Sequence, residues 1–206
     1  MPGAHSTGYR DKLAGIGNDK ITKFIAKGGI YYGFCGGAYY ACDLIKFTGE
    51  NFAKTTDNNL TLFDGMAIGS IPEICDGNYF DSTIFSSTSA VLEVNNGTNC
   101  KAFYTGGPYF QKSSANMYNV KSYAVLARYA KINKPAIIRS KYDKGIVVLS
   151  GLHPEYTSTD LDDVHRLLLG GSKDTIRLAN IKDNLKIDEL NGNKDYLDRL
   201  ILNDLL

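Results

Sequence analysis

Cys35 stands in the run Gly33-Phe34-Cys35-Gly36-Gly37, entered from Gly29-Ile30-Tyr31-Tyr32 and left through Ala38-Tyr39-Tyr40-Ala41-Cys42. An apolar, β-favouring segment breaks at a glycine, presents one nucleophile, and passes into a helix-compatible stretch. The spacing is that of a nucleophile elbow, G-x-C-x-G, with cysteine where hydrolases more often carry serine. The flanking glycines have a steric purpose. The nucleophile of an elbow sits in a strained turn, and side chains two residues to either side would hold the helix off the strand. A thiol at a helix N-terminus also faces the positive end of the helix dipole, which favours the thiolate. The same run can equally be read as a Gly-rich turn around an inert buried cysteine.

A second chemical signal lies far downstream, in Gly145-Ile146-Val147-Val148-Leu149-Ser150-Gly151-Leu152-His153-Pro154-Glu155-Tyr156. Ile146 to Leu149 is continuously apolar and β-branched, as expected of a strand buried on both faces. His153 and Glu155 follow its end, separated by one proline. In extended chain, residues i and i+2 point to the same side, and Pro154 keeps the preceding residues out of the helical region. The carboxylate can then lie beside the imidazole, fix its tautomer and stabilise its protonated form. A polar strand end with an isolated histidine is the plainer reading. With a cysteine elbow in the same chain, the residues point to a Cys35-His153-Glu155 constellation for nucleophilic catalysis.

These motifs resemble the class I glutamine amidotransferases, whose triad is Cys-His-Glu. The nearer resemblance is to the amidotransferase-like domain at the N-terminus of eukaryotic-type biotin-protein ligases. Four stretches carry it: Met1-Pro2-Gly3-Ala4 as a "PGG" turn, Gly28 to Ala41 around the elbow, Phe103-Tyr104-Thr105-Gly106-Gly107-Pro108 as a "Y-x-GG" segment, and Val148 to Tyr156 around His-Pro-Glu. The order and spacing agree over roughly the first three quarters of the chain. The resemblance implies an α/β fold, a flavodoxin-like three-layer sandwich with a mostly parallel sheet and Cys35 at the carboxyl edge of its strand. It implies oxyanion donors at Gly36 and at the Gly3-Ala4 turn, and a pocket lined by Gly106, Gly107 and Tyr104, where adjacent glycines let backbone approach a ligand. His5 lies close to that turn. Ala4 replaces the second family glycine and is strained if its slot demands positive φ. Because the chain begins at this turn, the sheet is expected to lack its first strands. The pocket would then lose a wall and glutaminase activity would be weak or absent. Nothing resembles the biotin loop and catalytic lysine of a ligase domain, so the chain by itself is expected not to ligate biotin.

Composition narrows the classes further. With 206 residues, 43% of them hydrophobic, the chain can bury one sizeable core. The expected division is an amidotransferase-like domain over 1–170 and a helical C-terminal extension over 171–206. A net charge of +1 without a basic stripe gives no case for nucleic acid. The fourteen tyrosines, lacking a basic groove, are assigned to core and rim packing. No apolar stretch approaches the roughly 18 residues of a membrane span. Cys35, Cys42, Cys75 and Cys100 show no C-x-x-C spacing. They are expected to be free thiols in a reducing cytoplasm, with neither metal nor cofactor implied.

The elements that must position these residues follow from periodicity. Gly3 to Gly17 reads as a loop, then a helix capped at Asn18 or Asp19 runs to Lys27 and is stopped by Gly28. Strand Ile30 to Phe34 enters the elbow, and the helix after it is expected to reach Leu44. Phe47 to Gly77 reads as loop with a strand near Leu60 to Phe63. Strands are predicted at Ser89 to Val94, Lys101 to Thr105 and Tyr123 to Tyr129, with turns at Asn95-Asn96-Gly97 and Asn133-Lys134-Pro135. Pro135 to Ser140 and Gly145 to Leu149 read as a hairpin. Asp160 to Leu169 is amphipathic, with His165 on its surface, and Thr175 to Leu206 is helical with a break at Asn191-Gly192-Asn193. Three functions stay open: a thiol-dependent amidase or amidotransferase acting on a small-molecule amide, a non-catalytic regulatory or interaction module, and a redox- or electrophile-sensing cysteine protein. Partners implied are a ligase domain or a second copy, without nucleic acid or membrane.

Overall fold

The structure, a computed structural model, describes residues 1–3, 5–57, 60–112, 123–163 and 175–203. Its organising element is the apolar strand read from Ile146 to Leu149, which forms β10 (Gly145–Ser150). β1 (Ile30–Phe34) runs parallel beside it, with Tyr32 opposite Val148 and Phe34 opposite Ser150. The remaining strands of this six-stranded sheet are β5 (Ser87–Val94), β6 (Asn99–Thr105), β8 (Tyr123–Tyr129) and β9 (Lys134–Tyr142), in the order β1-β10-β9-β8-β5-β6. A tight turn joins β9 to β10, with Tyr142 paired to Gly145 and Asp143 at φ 49°. The expected hairpin, the strand at Tyr123–Tyr129 and the turn at Asn95-Asn96-Gly97 are all present. Only β1 and β10 pair in parallel; the other pairings in this sheet are antiparallel. The sheet is therefore not mostly parallel as expected, because short turns connect β5 to β6 and β9 to β10, and such turns can only join antiparallel neighbours.

Alternation along the central strands divides two cores. Val147 and Leu149 of β10, Ile138 of β9 and Tyr31 of β1 face one side, where they meet α2 (Ile16–Ala26) through Ile25 and α3 (Gly36–Ala41) along its length. Val148, Ile137 and Ala136 face the other, where Leu197 and Ile201 of α5 (Asn193–Asn203) cover them. α4 (Thr175–Leu190) buries Ile181 and Leu185 against Ile84, Phe103 and Leu161. Helices thus lie over both faces of the sheet, giving the three-layer α/β arrangement. The two C-terminal helices share its core, separated at Asn191-Gly192 where the break was expected. His165 and most of the helix predicted from Asp160 lie outside the described residues.

Three elements depart from expectation. Ser6–Leu13, read as loop, is helix α1, none of whose side chains is buried. It is tied down by Tyr9, whose hydroxyl donates to the Pro2 carbonyl at 2.9 Å and whose ring lies 5.7 Å from that of Tyr40. The elbow helix ends at Ala41, and the chain enters β2 (Cys42–Thr48) directly, so Cys42 begins a strand. β2 joins β3 (Ala53–Asp57), β4 (Phe63–Gly69) and β7 (Tyr109–Lys112) in a second sheet of order β3-β2-β4-β7, across the region read as loop. Polar residues such as Lys46, Lys54 and Asp57 can sit on it because parts of β2 and most of β3 face solvent.

The turn after β6 is locked to the end of β10 by backbone contact. A Cβ on Gly107 would fall 1.8 Å from the Gly151 carbonyl oxygen, well inside any tolerable contact. Gly107→Ala is expected to lower stability by about 1–3 kcal/mol, measured as a reduced urea midpoint.

Candidate functional site

The parallel pair β1/β10 sets the site. Phe34 pairs with Ser150, and the Cys35 N–H donates to the Ser150 carbonyl at 2.8 Å, so both chains leave the sheet at the same edge. Cys35 then turns sharply, with φ 42° and ψ −105°, a conformation non-glycine residues seldom hold outside functional sites. The glycines around it are needed because strand and helix touch. A Cβ on Gly33 would lie 2.9 Å from backbone atoms of Gly37, and one on Gly37 would lie 2.3 Å from the Met1 carbonyl oxygen. Tyr31 reaches across to donate its hydroxyl to the Gly37 carbonyl at 2.8 Å, and the Tyr39 N–H donates to the Cys35 carbonyl at 2.9 Å. Met1 lies along the outer edge of β1, its nitrogen donating to the Tyr32 carbonyl and its carbonyl accepting from Phe34 N–H.

His153 is held from several directions. Beyond β10, the Ser150 hydroxyl donates to the Leu152 carbonyl and accepts the Leu152 N–H, forming a compact turn. The His153 N–H donates to the Phe103 carbonyl at 2.8 Å. Its ring stacks on Tyr156 at 5.3 Å, and Gly3 presses on the ring so closely that a Cβ there would be 2.3 Å from Cε1. Nδ1 lies 2.8 Å from Glu155 Oε1, as the i, i+2 spacing anticipates. Cys35 and His153 line the same cavity. The Cys35 sulfur lies 3.6 Å from the Thr105 carbonyl.

Charge state follows from these neighbours. Burial disfavours the imidazolium, but hydrogen bonds and negative charge at Cys35 and Glu155 outweigh it and raise the His153 pKa to about 10. A thiol at a strained turn and an imidazole oriented by a carboxylate are the residue types that nucleophilic catalysis uses.

Cys35, His153, Gly3, Thr105 and Gly106 line one cavity of about 250 Å³. Gly36 is the buried first residue of α3, where an amide has no acceptor within its own helix. Ala4 lies outside the described residues. His5 borders the cavity as well. Tyr104 and Gly107, expected to line the pocket, do not. Tyr104 is buried in the core, donating its hydroxyl to the Gly107 carbonyl and receiving the Ile71 N–H, while Gly107 packs on Gly151. Sequence reading missed other residues that line the cavity: Tyr39, Ile45, Phe47, Phe52 and Phe80, with Arg10 and Lys54 among them. Phe47, Phe52 and Phe80 share no local motif; folding of the second sheet gathers them.

Over residues 1–198 the chain matches the family described as "Biotin-protein ligase, N terminal". The chain belongs to that family. It is 32% identical over 164 residues to an uncharacterized protein of Chlamydia muridarum, covering 76% of this chain and 59% of that protein. It is 28% identical over 169 residues to the biotin–protein ligase of Schizosaccharomyces pombe, covering 77% of this chain and 25% of the ligase. The chain thus spans less than two thirds of the length of either relative. Among solved structures, a glutamine amidotransferase aligns with 82% of the chain and 77% of its own length, at 20% identity and a TM-score of 0.49. No helix among the described residues is long and apolar enough to cross a membrane.

Two measurements test the site's physics in this family member. Glycine tolerates positive φ where alanine is strained, so Cys35→Gly is expected to be more stable than Cys35→Ala by about 1 kcal/mol in urea denaturation. A C35G variant no more stable than C35A would mean that the turn is unstrained. For the imidazole, Glu155→Gln removes a charge that raises the His153 pKa, so its midpoint by NMR titration is expected to fall from about 10. Stability from this raised pKa is complete below the unfolded value near 6.5 and is lost as pH rises through about 10. The wild-type protein is accordingly expected to lose stability over that alkaline window, and E155Q to lose less.

Proposed function

We propose that this domain is a thiol-dependent amidohydrolase or amidotransferase acting on a small amide, with Cys35 as nucleophile, His153 as proton carrier and Glu155 as its orienting carboxylate. The supporting observation is the shared exit of Cys35 and His153 from adjacent parallel strands, with Glu155 hydrogen-bonded to the far ring nitrogen. In the reaction the sulfur attacks the amide carbonyl carbon, and the tetrahedral oxyanion is received by the Gly36 N–H and a backbone donor of the turn at Gly3. His153 gives its proton to the departing amine, leaving an acyl-thioester on Cys35. Water then attacks the thioester with His153 taking its proton, and the carboxylic acid and thiol are released. An amine in place of water would complete a transfer reaction. We further place the domain in the cytoplasm, where its four free thiols would persist, and in association with a biotin ligase domain.

A screen of small amides with purified protein tests this reading, comparing wild type with Cys35→Ala. The expected result is turnover by the wild type and at least a thousandfold loss in C35A, together with fast, selective iodoacetamide labelling of Cys35 near neutral pH. Turnover that survives in C35A, or a Cys35 that labels no faster than free cysteine, would remove the proposed chemistry.

A further inference from the structure

Aromatic rings form part of the wall of the cavity that Cys35 borders. Phe47 stacks on Phe52 at 5.6 Å, meets Phe80 edge-on at 5.9 Å and packs against Tyr39 at 5.8 Å. Tyr39 is fixed by its hydroxyl, which donates to the Gly106 carbonyl at 3.0 Å. The wall is thus a preassembled apolar surface, yet Phe52 remains 57% exposed, leaving a ring uncovered at the mouth. Arg10, from α1, and Lys54, from β3, also border the cavity, and no carboxylate is among its described lining residues. Arg10 Nε lies 3.9 Å from Asp11 Oδ1. Glu155 lies beyond the imidazole, engaged with Nδ1.

These surfaces impose three requirements on a ligand: a carbonyl at Cys35, an apolar or ring-bearing body against the phenylalanines, and a negative charge near Arg10 and Lys54. Free glutamine meets them poorly. It offers no apolar body, and its ammonium would enter a cavity bordered by cations with no lining carboxylate to receive it.

Resting on the amide-cleaving reading above, we propose that the substrates are N-acyl amino acids, amides carrying an apolar side chain and a free carboxylate, selected by the rings of Phe47, Phe52 and Phe80 and by the cations Arg10 and Lys54, the latter paired with Phe47 across β2 and β3. Blocking the amino group removes the ammonium and supplies the scissile amide at once. Arg10, Lys54 and Phe52 are accessible side chains away from the core, so their replacement leaves the fold intact.

Binding and turnover are measured separately. Calorimetry with N-acetyl-L-phenylalanine on the full chain should give a dissociation constant at least tenfold below those of N-acetyl-L-phenylalaninamide and of L-glutamine. Arg10→Ala and Lys54→Ala are each expected to weaken binding of the acid by about fivefold, with little effect on the amide. Phe52→Ala is expected to weaken both by about tenfold. The acid should also slow iodoacetamide labelling of Cys35, which locates it in this cavity. Equal binding of acid and amide, tighter binding of glutamine, or binding of the acid without protection of Cys35 would each overturn the assignment. If the acid binds with this selectivity and protects Cys35 but is never cleaved, the ligand class holds and the amide-cleaving reading fails.

Discussion

The register between β1 and β10 is the constraint on which the site depends. Pairing Phe34 with Ser150 aligns two strands so that the first residues beyond them emerge side by side. Beyond that line Cys35 turns one way into α3, and Gly151-Leu152-His153 turns the other way under Phe103. A slip of one residue would reverse the facing of every side chain on the moved strand. Val147 and Leu149 would exchange cores with Val148, which the packing of α2 and α3 on one face and α5 on the other forbids. The placement of Cys35 and His153 is therefore held by the cores on both sides of the sheet, through register.

Backbone proximity recurs wherever the site needs support. Gly33 meets Gly37 at the elbow, Gly107 meets Gly151 beneath the histidine turn, and Gly3 lies flat on the His153 ring. In each case a side chain would push apart two segments whose separation fixes a functional atom. This explains why glycines surround the reactive residues on three separate stretches of chain, and why the Gly106-Gly107 pair divides its labour, Gly106 facing the cavity and Gly107 holding the frame.

The sequence made the elbow and the His-x-Glu pair legible because their demands are local. A tight strand-to-helix turn needs glycines at set offsets, and an i, i+2 pair on extended chain needs only a proline to keep it extended. β10 and the β9–β10 hairpin were legible for the same reason. The second sheet was not. Its strand β2 carries a bulge between Cys42 and Leu44 that breaks strict alternation, and β3 is mostly exposed, so neither shows a clean apolar period. α1 was illegible because it fully buries no side chain and meets the core only through the partly buried Tyr9 and Leu13. The aromatic wall could not be read at all from spacing, since Phe47, Phe52 and Phe80 become neighbours only after β2 has paired and the chain has returned past β4.

The parallel pairing also bears on when Cys35 meets its neighbours. β9 and β10 form a local hairpin, but β1 must reach β10 from the other end of the chain, with all the intervening strands between them. Closing a loop of that length costs entropy before any contact offsets it. Until that closure Cys35 is an ordinary cysteine on an unpaired strand, with no imidazole beside it and no enforced turn. The surroundings that set Cys35 apart from the other three thiols therefore exist only once this long-range pairing is made.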